Sequence, residues 1–158
     1  MAKITVEQRE KNKKEFDLVV EEIFWERGWD AVTLNEVSKR SGKPKPTVQN
    51  YYPDRTHFGE ALRGKIFPVV MSCLDLSSPS EFKISWETQL STNRKFRMVV
   101  NLLVSNATSE QTNDMTVNGI IRLRHLLSEK WDSEKEAFDS LMWVLGLSVL
   151  RLAENRIK

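Results

Sequence analysis

The sequence predicts an all-α protein: an amino-terminal three-helix helix-turn-helix domain followed by a small helical bundle that dimerises. Three observations carry this. Apolar residues recur at helical spacing along almost the whole chain, and no strand-type alternation persists. Gly and Pro number only 6 and 5 in 158 residues, so few breaks are expected. Helix-opening pairs, Ser or Thr followed three residues later by Glu or Gln, stand at Thr5/Gln8, Thr33/Glu36 and Ser133/Glu136.

The first pair opens a helix whose Phe16, Val19, Val20, Ile23 and Phe24 share a face and which ends at Gly28. Thr33 with Glu36 opens a second, short helix with Leu34 and Val37 as a narrow apolar face, and Gly42 ends it and turns the chain. Pro46 suits the first turn of a third helix, where its missing N–H is not needed. Val48, Tyr51 and Tyr52 then pack inward, leaving Lys45, Thr47, Gln49 and Asn50 outward. Such a row of ammonium, hydroxyl and amide groups is what phosphates and base edges require. Charge agrees locally. Residues 37–53 contain no acid but include Lys39, Arg40, Lys43 and Lys45, with Arg55 close behind. This is the footprint of phosphate contact. A solvated basic turn is the plain alternative, and the overall balance of 24 basic against 22 acidic residues does not itself suggest nucleic acid.

The run Ile23-Phe24-Trp25-Glu26-Arg27-Gly28-Trp29, then a short link and Thr33, resembles the amino-terminal signature of the TetR family of bacterial transcriptional regulators. That signature is an aliphatic-Phe pair, acidic-Arg-Gly-aromatic, and a Thr opening the second helix. The resemblance continues through Arg40-Ser41-Gly42, Lys45-Pro46-Thr47-Val48 and Tyr51-Tyr52-Pro53-Asp54-Arg55, and covers about residues 10–65 without gaps. It implies phosphate contacts at Thr33, Thr47, Tyr51 and Arg55, and base-edge contacts at Lys45, Pro46, Gln49 and Asn50. The implied partner is double-stranded DNA with a near-palindromic operator. Three positions depart from the family pattern. Lys43 stands where a Val is usually buried, so the turn is more exposed or Lys43 reaches a phosphate. Gln49 replaces a Tyr, and Tyr51 replaces a His.

Asp54 is a cap for a fourth helix carrying Phe58, Leu62 and Ile66, with Pro68 inside the pattern expected to bend or break it. Ser77-Ser78-Pro79-Ser80 marks a loop. Further helices are expected over 80–91, 94–106 and 114–130, the last capped by Asn113 or Asp114. The final helix, opened by Ser133, is apolar on nearly every face over 141–150 and so needs cover all round. That segment is too short to span a bilayer, which takes about 20 residues, so no membrane partner is expected. Gly146 and Ser148 permit close approach of a second copy, giving a homodimer through the carboxy-terminal helix; the alternative is the central helix of a monomeric bundle. The domains are expected at 1–53, DNA-binding, and 54–158, dimerising and a candidate for effector binding.

An enzyme is not indicated. His57 and His125 are the only histidines, lie far apart, and have no metal-ligand spacing or nucleophile beside them; neither a metal nor a cofactor is implied. Cys73 stands alone, which fits a reducing cytoplasm, and reads as packing rather than a redox sensor. The amino terminus has no apolar core of a secretory signal, so a cytoplasmic location is expected. Phe82, Trp86, Phe96, Met98, Met115, Trp131 and Trp143 are candidates either to line a pocket for a small-molecule effector or to form the core. The expected function is a sequence-specific regulator, most simply a homodimeric repressor released by a ligand. The alternative is a ligand-independent DNA-organising protein acting through a protein partner.

Overall fold

The computed structural model describes residues 3–110 and 114–155. Among these the chain is helical with no strand: α1 Val6–Arg27, α2 Leu34–Ser41, α3 Lys45–Gln49, α4 Ile66–Cys73, α5 Pro79–Thr92, α6 Arg94–Ala107, α7 Asp114–Trp131 and α8 Glu134–Asn155, with 3₁₀ segments at Trp29–Ala31 and Arg55–Leu62. The chain divides into two compact units, Met1–Arg63 and Gly64–Lys158.

In the first unit, helix starts follow side-chain caps. Thr5 Oγ1 accepts from the Gln8 amide at 3.1 Å, and Thr33 Oγ1 from the Glu36 amide at 3.2 Å. Each satisfies one N–H that the helix itself cannot. Gly28 (φ 89°) and Gly42 (φ 69°, ψ 16°) end α1 and α2 in the positive-φ region that side chains resist. The core is one stripe of α1, Phe16, Val20, Ile23 and Phe24, closed by Val32, Val37, Val48, Tyr52, Phe58 and Leu62.

The expected fourth helix is two elements. Arg55–Leu62 is 3₁₀, Arg63 is extended (φ −60°, ψ 129°) and Gly64 has φ 75°. Helix resumes as α4, in which Pro68 is the third residue. The proline ring would strike the carbonyl four residues back in a continuous helix. With α4 starting at Ile66, Pro68 lies in the first turn and has no such carbonyl to meet. The break expected at Pro68 therefore falls upstream of it, at Arg63 and Gly64.

In the second unit, Ser78 caps α5 through the Glu81 amide (3.1 Å) and Asn93 both receives the end of α5 and caps α6 through the Phe96 amide (3.2 Å). Ser133 caps α8 through the Glu136 amide at 3.2 Å. Of the two cap candidates for α7, Asn113 lies outside the described residues and Asp114 is its first residue. The core is aromatic. Phe82, Trp86 and Phe96 are buried, with Trp131 against Phe82 at 5.7 Å between ring centroids and Phe96 edge-on to Trp86 at 5.1 Å. The Trp86 indole N–H donates to Ser148 Oγ (2.9 Å), which donates to the Val144 carbonyl (2.6 Å), so the buried polar atoms of α5 and α8 satisfy one another. Ser148 is thus buried and holds the bundle, in contrast to its expected exposure to a partner helix.

Two predictions follow from these contacts. Ser148→Ala strands the Trp86 indole N–H without an acceptor, and should cost about 1–3 kcal/mol in denaturant unfolding. Asp54 caps the 3₁₀ segment, and hydrogen bonds from the Thr56 side chain first, then His57, hold its carboxyl down to about 2 against an ordinary 3.8. A carboxyl depressed in the folded state stabilises above its unfolded value and loses that contribution as pH falls through the folded one. The melting-temperature gap between the wild type and Asp54→Ala should therefore be constant above about pH 5 and close as pH drops toward 2.

Candidate nucleic-acid interface

The five-residue α3 is too short to persist alone, since helix nucleation is costly and propagation adds little over one turn. Its inner side is Val48 and Tyr52, both buried, with Tyr51 half-buried. The Tyr51 and Tyr52 amides continue the turn by donating to the Val48 carbonyl at 3.0 Å each. Lys45, Pro46, Gln49 and Asn50 are exposed and Thr47 is half-buried. Four of the eight side chains expected to meet DNA thus lie on α3 and a fifth, Asn50, caps it, so the exposed side of helix and cap carries an ammonium and two carboxamides.

Thr33 is exposed at the start of α2, where its hydroxyl oxygen already accepts the Glu36 amide and retains its own proton to give. The Tyr51 hydroxyl is in the same position: it accepts from Asn12 Nδ2 at 3.1 Å and keeps a proton to donate. Arg55 is engaged differently. Its guanidinium donates to the Trp29 carbonyl (2.9 Å) and the Val32 carbonyl (3.3 Å), lies over the Trp29 ring and stands 3.8 Å from Asp30. It closes the link between α1 and α2, whatever else it touches.

The basic patch is smaller than the sequence suggested. Arg40 pairs with Glu26 at 2.6 Å and with Glu36 at 3.3 Å, and Arg27 also reaches Glu36 at 3.2 Å. The Arg40 bond holds the Glu26 carboxyl below the usual range. Among the described residues, Lys39, Lys43 and Lys45 have no carboxylate within ion-pair distance, and all three are exposed. Lys43 occupies an exposed turn, with its carbonyl accepting from Ser38 Oγ at 2.6 Å. Three lysines around the α2–α3 turn therefore supply the free positive charge.

Sequence reasoning missed the support from α1. Arg9 donates to the Asn50 carbonyl at 3.1 Å and lies 4.8 Å from the Tyr51 ring centroid. Lys13 sits over the Tyr52 ring at 4.1 Å while pairing with Asp17 at 2.7 Å, and the Tyr52 hydroxyl donates to the same carboxylate. Burial first, and then this bond to Asp17, push the Tyr52 phenol far above its ordinary value, so it stays protonated and donating. The available signal was spacing: Arg9, Asn12, Lys13 and Asp17 extend the Phe16–Val20 stripe at intervals of three and four.

In the second unit, the residues weighed as pocket lining or core are placed in part. Phe82, Trp86, Phe96 and Trp131 pack on one another, whereas Trp143 is exposed beneath Lys83. An open depression of about 590 Å³ lies elsewhere, beside the α4–α5 connection, with Cys73, Asp75, Ser85 and Lys130 among its walls. Cys73 Sγ accepts from Asn93 Nδ2 at 3.4 Å. Among the described residues no group of His, Cys, Asp or Glu could hold a metal ion, and no helix is long and apolar enough to cross a membrane.

No curated protein matches the chain. Residues 63–152, however, match the family model of the tetracycline repressor LuxT C-terminal domain, which spans more than half of the sequence and coincides with the α4–α8 unit. Together with the amino-terminal motifs, that match identifies the chain as a member of the TetR-like family and a transcriptional regulator.

Proposed function

We propose that the protein is a homodimeric repressor that reads a near-palindromic duplex with the exposed side of α3. The carrying observation is that α3 and the residues just past it have a buried side, Val48 and Tyr52, and an exposed side, Lys45, Gln49 and Asn50, beside the exposed Lys39 and Lys43. Carboxamides pair bidentately with adenine and lysine with guanine O6/N7, while Thr33, Thr47 and Tyr51 offer hydroxyls to phosphates. On this reading, residues 1–53 form the DNA-binding domain, with the 3₁₀ segment Arg55–Leu62 completing its core, and the rest dimerises. Arg55 contacts phosphate only with what its two carbonyl bonds leave. Gln49→Ala or Asn50→Ala should relax base preference in a randomised-site selection, costing about 1–3 kcal/mol at the affected base pair. Thr47→Ala should weaken all sequences alike. An unchanged selection profile for Gln49→Ala would remove α3 as the reading element.

Dimerisation is supported by the outer side of α8. Phe138, Met142, Trp143, Val149 and Leu150 are exposed there, Leu150 at 63%, in a helix whose opposite side is the core. Apolar side chains at this density call for cover. Twofold pairing would place two α3 helices near one helical turn of DNA apart, about 34–36 Å or somewhat more. Gly146 is exposed and a Cβ there meets nothing within 4 Å among the described residues, so Gly146→Leu should leave the protomer folded and block a close partner. The wild type should sediment as a dimer at micromolar concentration and Gly146→Leu as a folded monomer.

Release by a small molecule would act through the α4–α8 unit. A second reading on the same scaffold is DNA binding that answers to a protein partner and not to a ligand. Mapping bound sites across the genome separates the two: a few promoter palindromes for the repressor, many dispersed sites for the organiser.

A further inference from the structure

Four polar residues of α1 converge on Asn50, Tyr51 and Tyr52, just past the carboxy-terminal end of α3, through hydrogen bonds and cation–ring contacts. The Arg9 guanidinium donates to the Asn50 carbonyl (3.1 Å) and covers the Tyr51 ring (4.8 Å). Asn12 Nδ2 donates to the Tyr51 hydroxyl (3.1 Å), and Lys13 and Asp17 hold the Tyr52 ring and hydroxyl. The Asn12 amide is itself oriented by Gln8 Nε2, which donates to Asn12 Oδ1 at 2.9 Å. Gln8, Arg9, Asn12 and Lys13 are successive positions on one side of a 22-residue helix anchored by a buried stripe. Helix α3 has five residues, and the carbonyl that Arg9 takes is that of Asn50, its C-cap. A cation at that carbonyl also suits the negative end of the helix dipole.

We infer that Arg9 and Asn12 are positioning residues for base reading: they fix the direction in which Gln49 and Asn50 leave α3, and so set specificity without touching a base. The inference rests on α3 being the reading element. A carboxamide pairs bidentately only when its plane is aligned with the base edge, so a small rotation of the helix end disrupts two hydrogen bonds at once. Removing the clamp leaves Val48 and Tyr52 buried and the helix attached, but frees its outer end to rotate. Such a loss affects base preference more than total affinity. A residue that instead contacts phosphate contributes counterion release and lowers the salt slope of binding by about one when removed.

The test compares wild type, Arg9→Met, Arg9→Lys and Asn12→Leu in the full-length chain. The readouts are randomised-site selection, the dependence of affinity on salt, and thermal melting. Expected are a base preference relaxed about tenfold at the pairs facing Gln49 and Asn50 for Arg9→Met and Asn12→Leu, and a salt slope unchanged from wild type. Arg9→Lys, which keeps a donor for the Asn50 carbonyl, should recover part of the preference. Should Arg9→Met fail to fold, Asn12→Leu, which breaks only the Tyr51 link, carries the same expectation. Unaltered preference in the folded variants overturns the inference, as does a salt slope that falls by about one with preference intact, which would make Arg9 a phosphate contact. If the wild type itself selects no sequence, the reading of α3 fails instead, and the two failures are distinct.

Discussion

The docking of α3 on α2, and of Tyr51, Tyr52 and the 3₁₀ segment after it on one stripe of α1, is the constraint on which the amino-terminal unit depends. A five-residue helix is below the length at which helix persists in water, so its geometry is imposed from outside. Phe16, Val20, Ile23 and Phe24 supply the surface; Tyr51 and Tyr52 pack on the Phe16 ring, and Val48, Phe58 and Leu62 are buried in the same core. Fully burying each such side chain is worth about 1.5–3 kcal/mol, so several together offset the roughly 1–2 kcal/mol per residue that ordering a single turn costs. The polar ends of the same stripe, Arg9 and Asp17, then fix which way the turn faces. Burial holds the helix in place and hydrogen bonds orient it.

Charge is sorted by the same packing. Arg40 and Arg55, which look like phosphate ligands in the sequence, are drawn into contacts that tie α2 to α1 and close the α1–α2 link. Lys39, Lys43 and Lys45 lie beyond the reach of those acids and remain available to solvent. The division follows side-chain chemistry, since the planar five-donor guanidinium suits carbonyls and carboxylates at fixed angles and a lysine stays hydrated.

Most of the fold was legible because its punctuation is chemical. Thr5, Thr33 and Ser133 cap the helices they were expected to open, and Gly28 and Gly42 end the helices before them. These signals act over three or four residues, and short-range signals survive in sequence. The break before α4 was misplaced at Pro68 because the rule forbids proline only beyond the first turn, and the sequence does not say where that turn begins. The exposed side of α3 was readable from Val48 and Tyr52. Its support was not, because the contacts of Arg9 and Asn12 with Asn50 and Tyr51 span about forty positions, and long-range polar pairing has no local pattern. Ser148 carried the same difficulty: in sequence it is a small residue suited to a helix contact, while its bond to Trp86 makes it part of the core.

Amide-resolved hydrogen exchange tests the dependence of α3 on α1 most directly. The account predicts that the amides of Val48, Tyr51 and Tyr52, each bonded within the turn, are protected together with those of Val20 and Ile23 and open with them as one cooperative unit. Phe16→Ala should lower both sets by the same amount. Exchange of the α3 amides at nearly unprotected rates while α1 stays protected would contradict it, because α3 would then not be held through Tyr51 and Tyr52 by the stripe of α1.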